Sequence, residues 1–126
     1  MSILARVLVV DDEEDVRNLV KVILETEGYN VDVASNGEDA QKIMKKKRFD
    51  LLLLDVVMPK SDGLELCRKI RHDKKLHDIP VIMFSALGKG IRTMLSEDEK
   101  ADDYLDKPFE KKILVEMVNK LVKKTG

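Results

Sequence analysis

Apolar and polar positions recur along this chain in two rhythms, and the switch between them marks the elements. Ile3 to Val10 is an apolar run broken only by Arg6 and stopped by the acidic cluster Asp11-Asp12-Glu13-Glu14-Asp15, which predicts a buried strand. Val16, Leu19, Val20, Ile23 and Leu24 then fall on one face of a helix, with acids in its first turn and Gly28 after its end. Tyr29 to Ala34 alternates through Val31 and Val33, as a strand nearer an edge does, and Ser35-Asn36-Gly37 marks a turn. A second helix carries Ala40, Ile43 and Met44. Leu51 to Leu54 predicts another buried strand, Pro59 to Gly63 a loop, and Leu64, Leu66, Cys67 and Ile70 a third helix. After the hydrophilic connector Arg71 to Asp78, Val81 to Phe84 is a further uninterrupted strand, ending at Ser85 and a loop around Gly88 and Gly90. Ile91, Met94 and Leu95 suggest a fourth helix, Tyr104-Leu105 a short last strand, and Ile113, Leu114, Met117, Val118, Leu121 and Val122 a final helix beyond Pro108.

Strand and helix thus alternate five times, an order that calls for a parallel sheet covered by helices on both faces. With right-handed crossovers, an edge-like second strand and central-looking first, third and fourth strands, the expected strand order is 2-1-3-4-5. Ligands in such sheets bind at the carboxyl ends of the strands, where the order reverses between the first and third.

Composition narrows the picture. The 126 residues suffice for one domain, expected to span 1–126, and 44% hydrophobic with 37% charged residues is globular composition. Aromatics are only 4%, so the core is aliphatic. A net charge of −1 gives no overall attraction to nucleic acid or anionic lipid, and direct nucleic-acid binding is not expected. The single cysteine, Cys67, excludes an internal disulfide and fits the buried side of the third helix and a reducing cytoplasm. The amino-terminal apolar run is too short for a signal peptide or a membrane span, so no membrane insertion is expected.

The candidate chemistry lies in the residues that follow each strand: Asp11 and Asp12, Asp55, Ser85 and Lys107. In the expected sheet all share one edge. Three carboxylates converging there repel one another unless a cation neutralises them, and oxygen-only ligands without His or Cys favour a hard ion such as Mg²⁺ over zinc. One Asp can then act as a nucleophile toward phosphorus while a lysine and a hydroxyl hold the phosphoryl oxygens.

With VLVVDDEEDVR, LLLLDVVMPKSDG, PVIMFSA and ADDYLDKPF in this order and spacing, essentially the whole chain resembles the receiver domains of response regulators in two-component signalling. The resemblance implies a flavodoxin-like (βα)5 three-layer sandwich of the same strand order. It implies that Asp55 is the phosphoacceptor, that Asp11 and Asp12, with Asp55 and the backbone carbonyl of Val57, hold Mg²⁺ (Mn²⁺ being a possible substitute), and that Lys107 contacts the phosphoryl group. It further implies a cis peptide between Lys107 and Pro108, and a switch pair, Ser85 and Tyr104, acting on the face of the fourth helix, fifth strand and fifth helix. The implied partners are a sensor histidine kinase or a histidine phosphotransfer protein and an unidentified downstream protein, in the cytoplasm. No DNA-binding or enzymatic segment is read after the final helix, so a stand-alone receiver or an excised domain is expected.

Lys100 stands where the family usually has Gly, so the chain before the fifth strand must be capped differently. Val57 and Leu87, two residues beyond Asp55 and Ser85, offer no hydrogen bond to an attacking water, and slow hydrolysis of the phosphoaspartate is expected. Singly, each residue has a plainer reading. Asp12 serves equally well as a helix N-cap, Asp62 fits a turn or cap, and Tyr104 an edge-strand aromatic. His72 and His77 read as surface residues, and the runs Lys45-Lys46-Lys47-Arg48 and Lys123-Lys124 as solvated faces or helix-end charges. Two other functions compete: an interaction module that never accepts phosphate, and a haloacid-dehalogenase-type phosphatase. The latter would need an Asp at the position of Val57.

Overall fold

The computed structural model describes residues 5–56, 63–85 and 95–125, with the backbone alone for 98 and 123–125. The elements run β1 (Arg6–Val10), α1 (Glu14–Thr26), β2 (Asn30–Ala34), α2 (Gly37–Lys46), β3 (Leu51–Asp55), α3 (Gly63–Arg71), β4 (Val81–Ser85), β5 (Asp103–Asp106) and α4 (Lys111–Thr125), with one 3-10 turn at Glu97–Glu99. The loop from Pro59 to Asp62 and the helix expected at Ile91 and Met94 lie outside the described residues; Leu95 is non-helical and packs half-buried on the core.

All five strands are parallel, in the order β2-β1-β3-β4-β5 that the pattern predicted. The four consecutive leucines of β3 divide between the two faces of the sheet. Leu52 and Leu54 join Leu8, Val10 and Met83 against α2 and α3 through Met44, Leu66, Cys67 and Ile70. Leu51 and Leu53 join Val7, Val9, Ile82 and Phe84 against α1 and α4 through Leu24, Leu114 and Val118. All four leucines are fully buried, which at about 2 kcal/mol per side chain anchors β3 firmly, as the equally buried β1 and β4 are anchored on either side of it.

Local chemistry sets the helix ends. Past α1, the amide of Gly28 donates to the Glu25 carbonyl (3.0 Å) and that of Tyr29 to the Leu24 carbonyl (3.1 Å), with Gly28 at φ 97°. This is the left-handed helix stop that glycine adopts without a Cβ penalty. Gly37 is the first residue of α2 rather than a turn residue, because Asn36 caps the helix by accepting the Asp39 amide at 2.8 Å. Lys100 needs no left-handed backbone. It follows the 3-10 turn at φ −79°, ψ 144°, its amide donating to the Glu97 carbonyl at 3.5 Å, while a capping box between Ser96 and Glu99 opens the turn.

Candidate functional site

Topology brings the acidic residues together. Val10 and Leu54 are direct partners in neighbouring strands, so the next residues, Asp11 and Asp55, emerge side by side at the carboxyl end of the sheet. One carboxylate oxygen from each of Asp11, Asp12 and Asp55 lies within 4.8 Å of the others. Asp11 is completely buried, Asp55 nearly so, and Asp12 exposed. Asp12 does not cap α1; Glu13 occupies that position, without a side-chain cap. The Asp11 carboxylate instead accepts the Glu13 amide through Oδ1 at 2.9 Å, and its carbonyl accepts from the Arg17 guanidinium at 2.9 Å. The Asp11 side chain and its main chain are thus each held by one hydrogen bond.

Lys107, one residue past β5, is the cation of the site. Its Nζ lies 2.8 Å from Asp11 Oδ2, 3.3 Å from Asp55 Oδ2 and 3.5 Å from Glu13 Oε1, and stands 5.9 Å above the Phe84 ring. Burial alone would lower the pKa of this ammonium. The charges of Asp11 and then Asp55 outweigh that effect and raise it above the ordinary lysine value. The ammonium compensates the charge of the buried Asp11 Oδ2, which has no other polar partner among the described residues. Three hard oxygen donors converging in this way fit an oxygen-seeking divalent cation.

Ser85 ends β4, is buried, and its carbonyl accepts the Lys107 amide at 3.1 Å. The Lys107–Pro108 peptide is cis. Tyr104 is turned into the core between the sheet and α3, its hydroxyl accepting the Ala101 amide at 3.0 Å. Val57 and Leu87 lie outside the described residues. His72 and His77 are exposed on the α3–β4 connector, away from the carboxylate cluster.

The structure adds residues the sequence did not single out. Gly63 opens α3 directly against the end of β3: its amide donates to the Val56 carbonyl at 3.1 Å, and a Cβ there would overlap the carbonyl oxygen of Asp55. A glycine inside the first turn of a helix, where it is a poor helix former, is the signal that could have exposed this close approach. Glu13, Arg17 and Phe84 also touch the site, and no sequence pattern distinguishes them from surface or core residues.

A parallel α/β sheet with an acidic, lysine-bridged cleft at its topological switch point defines the class. The chain belongs to the response regulator receiver domain family, whose model matches residues 7–119. It is 38% identical over 120 residues to the DNA-binding dual master transcriptional regulator RpaA of Synechocystis, an alignment covering 95% of this chain and 50% of that protein. The chain spans about half the length of the curated relatives it matches. Among solved structures, the response regulator TrrA of Thermotoga maritima, in complex with Mg²⁺-BeF, is 42% identical with a TM-score of 0.82, covering 94% of this chain and 99% of that one. The chemotaxis protein CheY4 of Vibrio cholerae is 28% identical with a TM-score of 0.88 and the same coverage of 94% and 99%. No described helix is long and apolar enough to cross a membrane.

Proposed function

We propose that this domain accepts a phosphoryl group on Asp55 and passes the signal on by a change in the surface around β5 and α4. The observation that carries this reading is the convergence of Asp11, Asp12 and Asp55 with Lys107 Nζ 3.3 Å from Asp55 at the end of a fully buried central strand. An Asp55 carboxylate oxygen attacks the phosphorus of a phosphohistidine, the phosphorus–nitrogen bond breaks, and the leaving imidazole takes up a proton. The donor is a sensor histidine kinase or a histidine phosphotransfer protein in the cytoplasm.

Asp11, Asp12 and Asp55, with the backbone carbonyl of Val57, would hold Mg²⁺, or Mn²⁺ in its place. When bound, the ion neutralises the carboxylates and the phosphoryl oxygens. Lys107, already shared between Asp11 and Asp55, follows the new charge onto the phosphoryl group. The Ser85 hydroxyl binds another phosphoryl oxygen, and Tyr104, seated inward here, reports that contact to the output face.

Incubation with acetyl phosphate and Mg²⁺, followed by intact mass, should yield one phosphoryl adduct that is lost in Asp55→Ala and in excess chelator. A native chain that never acquires the adduct would leave a phosphate-independent interaction module as the better reading. Slow hydrolysis follows from Val57 and Leu87, whose side chains cannot orient water. Val57→Asn or Leu87→Glu should therefore speed loss of the adduct, and an unchanged dephosphorylation rate would sink that part of the proposal.

A further inference from the structure

At the opposite end of the sheet the chain builds a second feature that the phosphoryl site does not use. A groove of about 820 Å³ opens between the end of α2, the segment leading into β3 and the loop leading into β4. Its floor is apolar: Met44 and Pro80 are buried, while Phe49 and Leu76 are half-buried and reach the opening. A notch of about 80 Å³ continues it between α2 and α3, sharing Met44, Lys45 and Leu76 and adding Ile70 with Gln41, Lys69 and Asp73, the last two already engaged with Glu65 and with the Lys75 and Leu76 amides. That volume is several times the roughly 10–15 Å³ that admits one water, and suits a single aliphatic side chain.

The rim is basic. Five cations line the groove against two carboxylates, Asp50 and Asp78. Lys47 is spent on Asp32 at 2.9 Å, but Lys45, Lys46, Arg48 and Lys75 are exposed and make no ion pair among the described residues. The carboxylates are partly engaged, Asp50 accepting the Arg6 amide at 2.8 Å and Asp78 facing His77 at 3.2 Å. Complementing the dipole at the end of α2 accounts for Lys45 and Lys46. It does not account for Arg48 and Lys75, which arrive from two different connections and complete the ring of charge.

We propose that this groove docks an acidic peptide segment of a partner protein, with an aliphatic anchor in the notch and carboxylates paired to Lys45, Lys46, Arg48 and Lys75. Charge complementarity selects the acidic partner, and the apolar floor selects a peptide over a nucleic acid. A phosphate backbone would gain nothing from Phe49 and Leu76 and would meet Asp50 and Asp78 on the rim. Because the groove lies at the amino ends of β3 and β4, its occupancy leaves the cleft around Asp55 open.

The test uses a fluorescein-labelled synthetic peptide with two leucines flanked by glutamates, followed by fluorescence anisotropy at low salt. Saturable binding is expected, weakened about tenfold or more in the Lys45→Glu/Lys75→Glu double variant and about threefold or more when alanines replace the leucines. Amide chemical shifts should move at Phe49 and Leu76. Lys46→Gln/Arg48→Gln, a milder change, should weaken binding in the same direction, so a folding defect in the first variant cannot decide the matter. Equal binding of the alanine peptide, a short single-stranded oligonucleotide binding at least as tightly, or undiminished binding by both variants would overturn the proposal. The first two outcomes would mark a general polyanion patch.

Discussion

The two ends of the β-sheet carry opposite charge and manage it in opposite ways. At the carboxyl end, Asp11 and Asp55 are buried and share one ammonium, that of Lys107, so the charges are held by strand ends and compensate one another within the fold. At the amino end, Lys45, Lys46, Arg48 and Lys75 are exposed on a helix end and two loops and leave their charge uncompensated. A buried charge must be paired and rigidly placed to be tolerated at all, whereas an exposed one is nearly free of cost and free to meet a partner. Substitutions at the first end should therefore disturb folding and chemistry together, and substitutions at the second should disturb only binding.

The largest effect on stability is expected at Gly63. Gly63→Val forces a side chain against the Asp55 carbonyl and should cost about 2–4 kcal/mol in urea unfolding, with slower adduct formation from acetyl phosphate. Unchanged stability would show that α3 can move away from β3 without loss. Lys107→Met comes next, since it leaves two buried carboxylates facing each other. We expect a destabilisation of about 1–2 kcal/mol in metal-free buffer, smaller with Mg²⁺ present. Its pH dependence has a definite sign. A cation whose pKa is raised on folding stabilises fully below the ordinary lysine value and loses that contribution as pH climbs through the raised one. From neutral pH upward, the gap between wild type and Lys107→Met should persist until strong alkali and close there. The smallest effect is expected at the amino end, where Lys75→Glu should stay within about 0.5 kcal/mol of wild type and leave the phosphoryl adduct intact. A larger loss of stability or of adduct would show the two ends to be coupled.

What could be read in advance follows the same division. The apolar runs of β1, β3 and β4 announce doubly covered strands because both faces must be dry; the helical stripe of α1 holds for Val16, Val20, Ile23 and Leu24, whereas Leu19 falls at its edge and is half exposed. Asp11, Asp12, Asp55, Ser85 and Lys107 were legible as candidates because each ends or follows a strand in a sheet whose order was predictable. Gly63, Glu13, Arg17 and Phe84 were not, since their part depends on which backbone approaches which, and that distance leaves no mark on local composition. The lysine run after α2 was legible only as a solvated face; Phe49, Leu76 and Lys75, brought in from elsewhere in the chain, turn it into the rim of a groove.

Element order, the parallel sheet and the carboxylate at the end of LLLLD can be read from the amino-acid pattern, because period and polarity are local properties that each segment states alone. Tertiary structure decided which charges meet. Asp11 and Asp55 are far apart in the chain and become neighbours only because β1 pairs with β3, and Lys107 reaches both only because β5 closes the sheet beyond β4. Electrostatic energy depends on separation in space and on burial, and neither exists until the strands have found their partners.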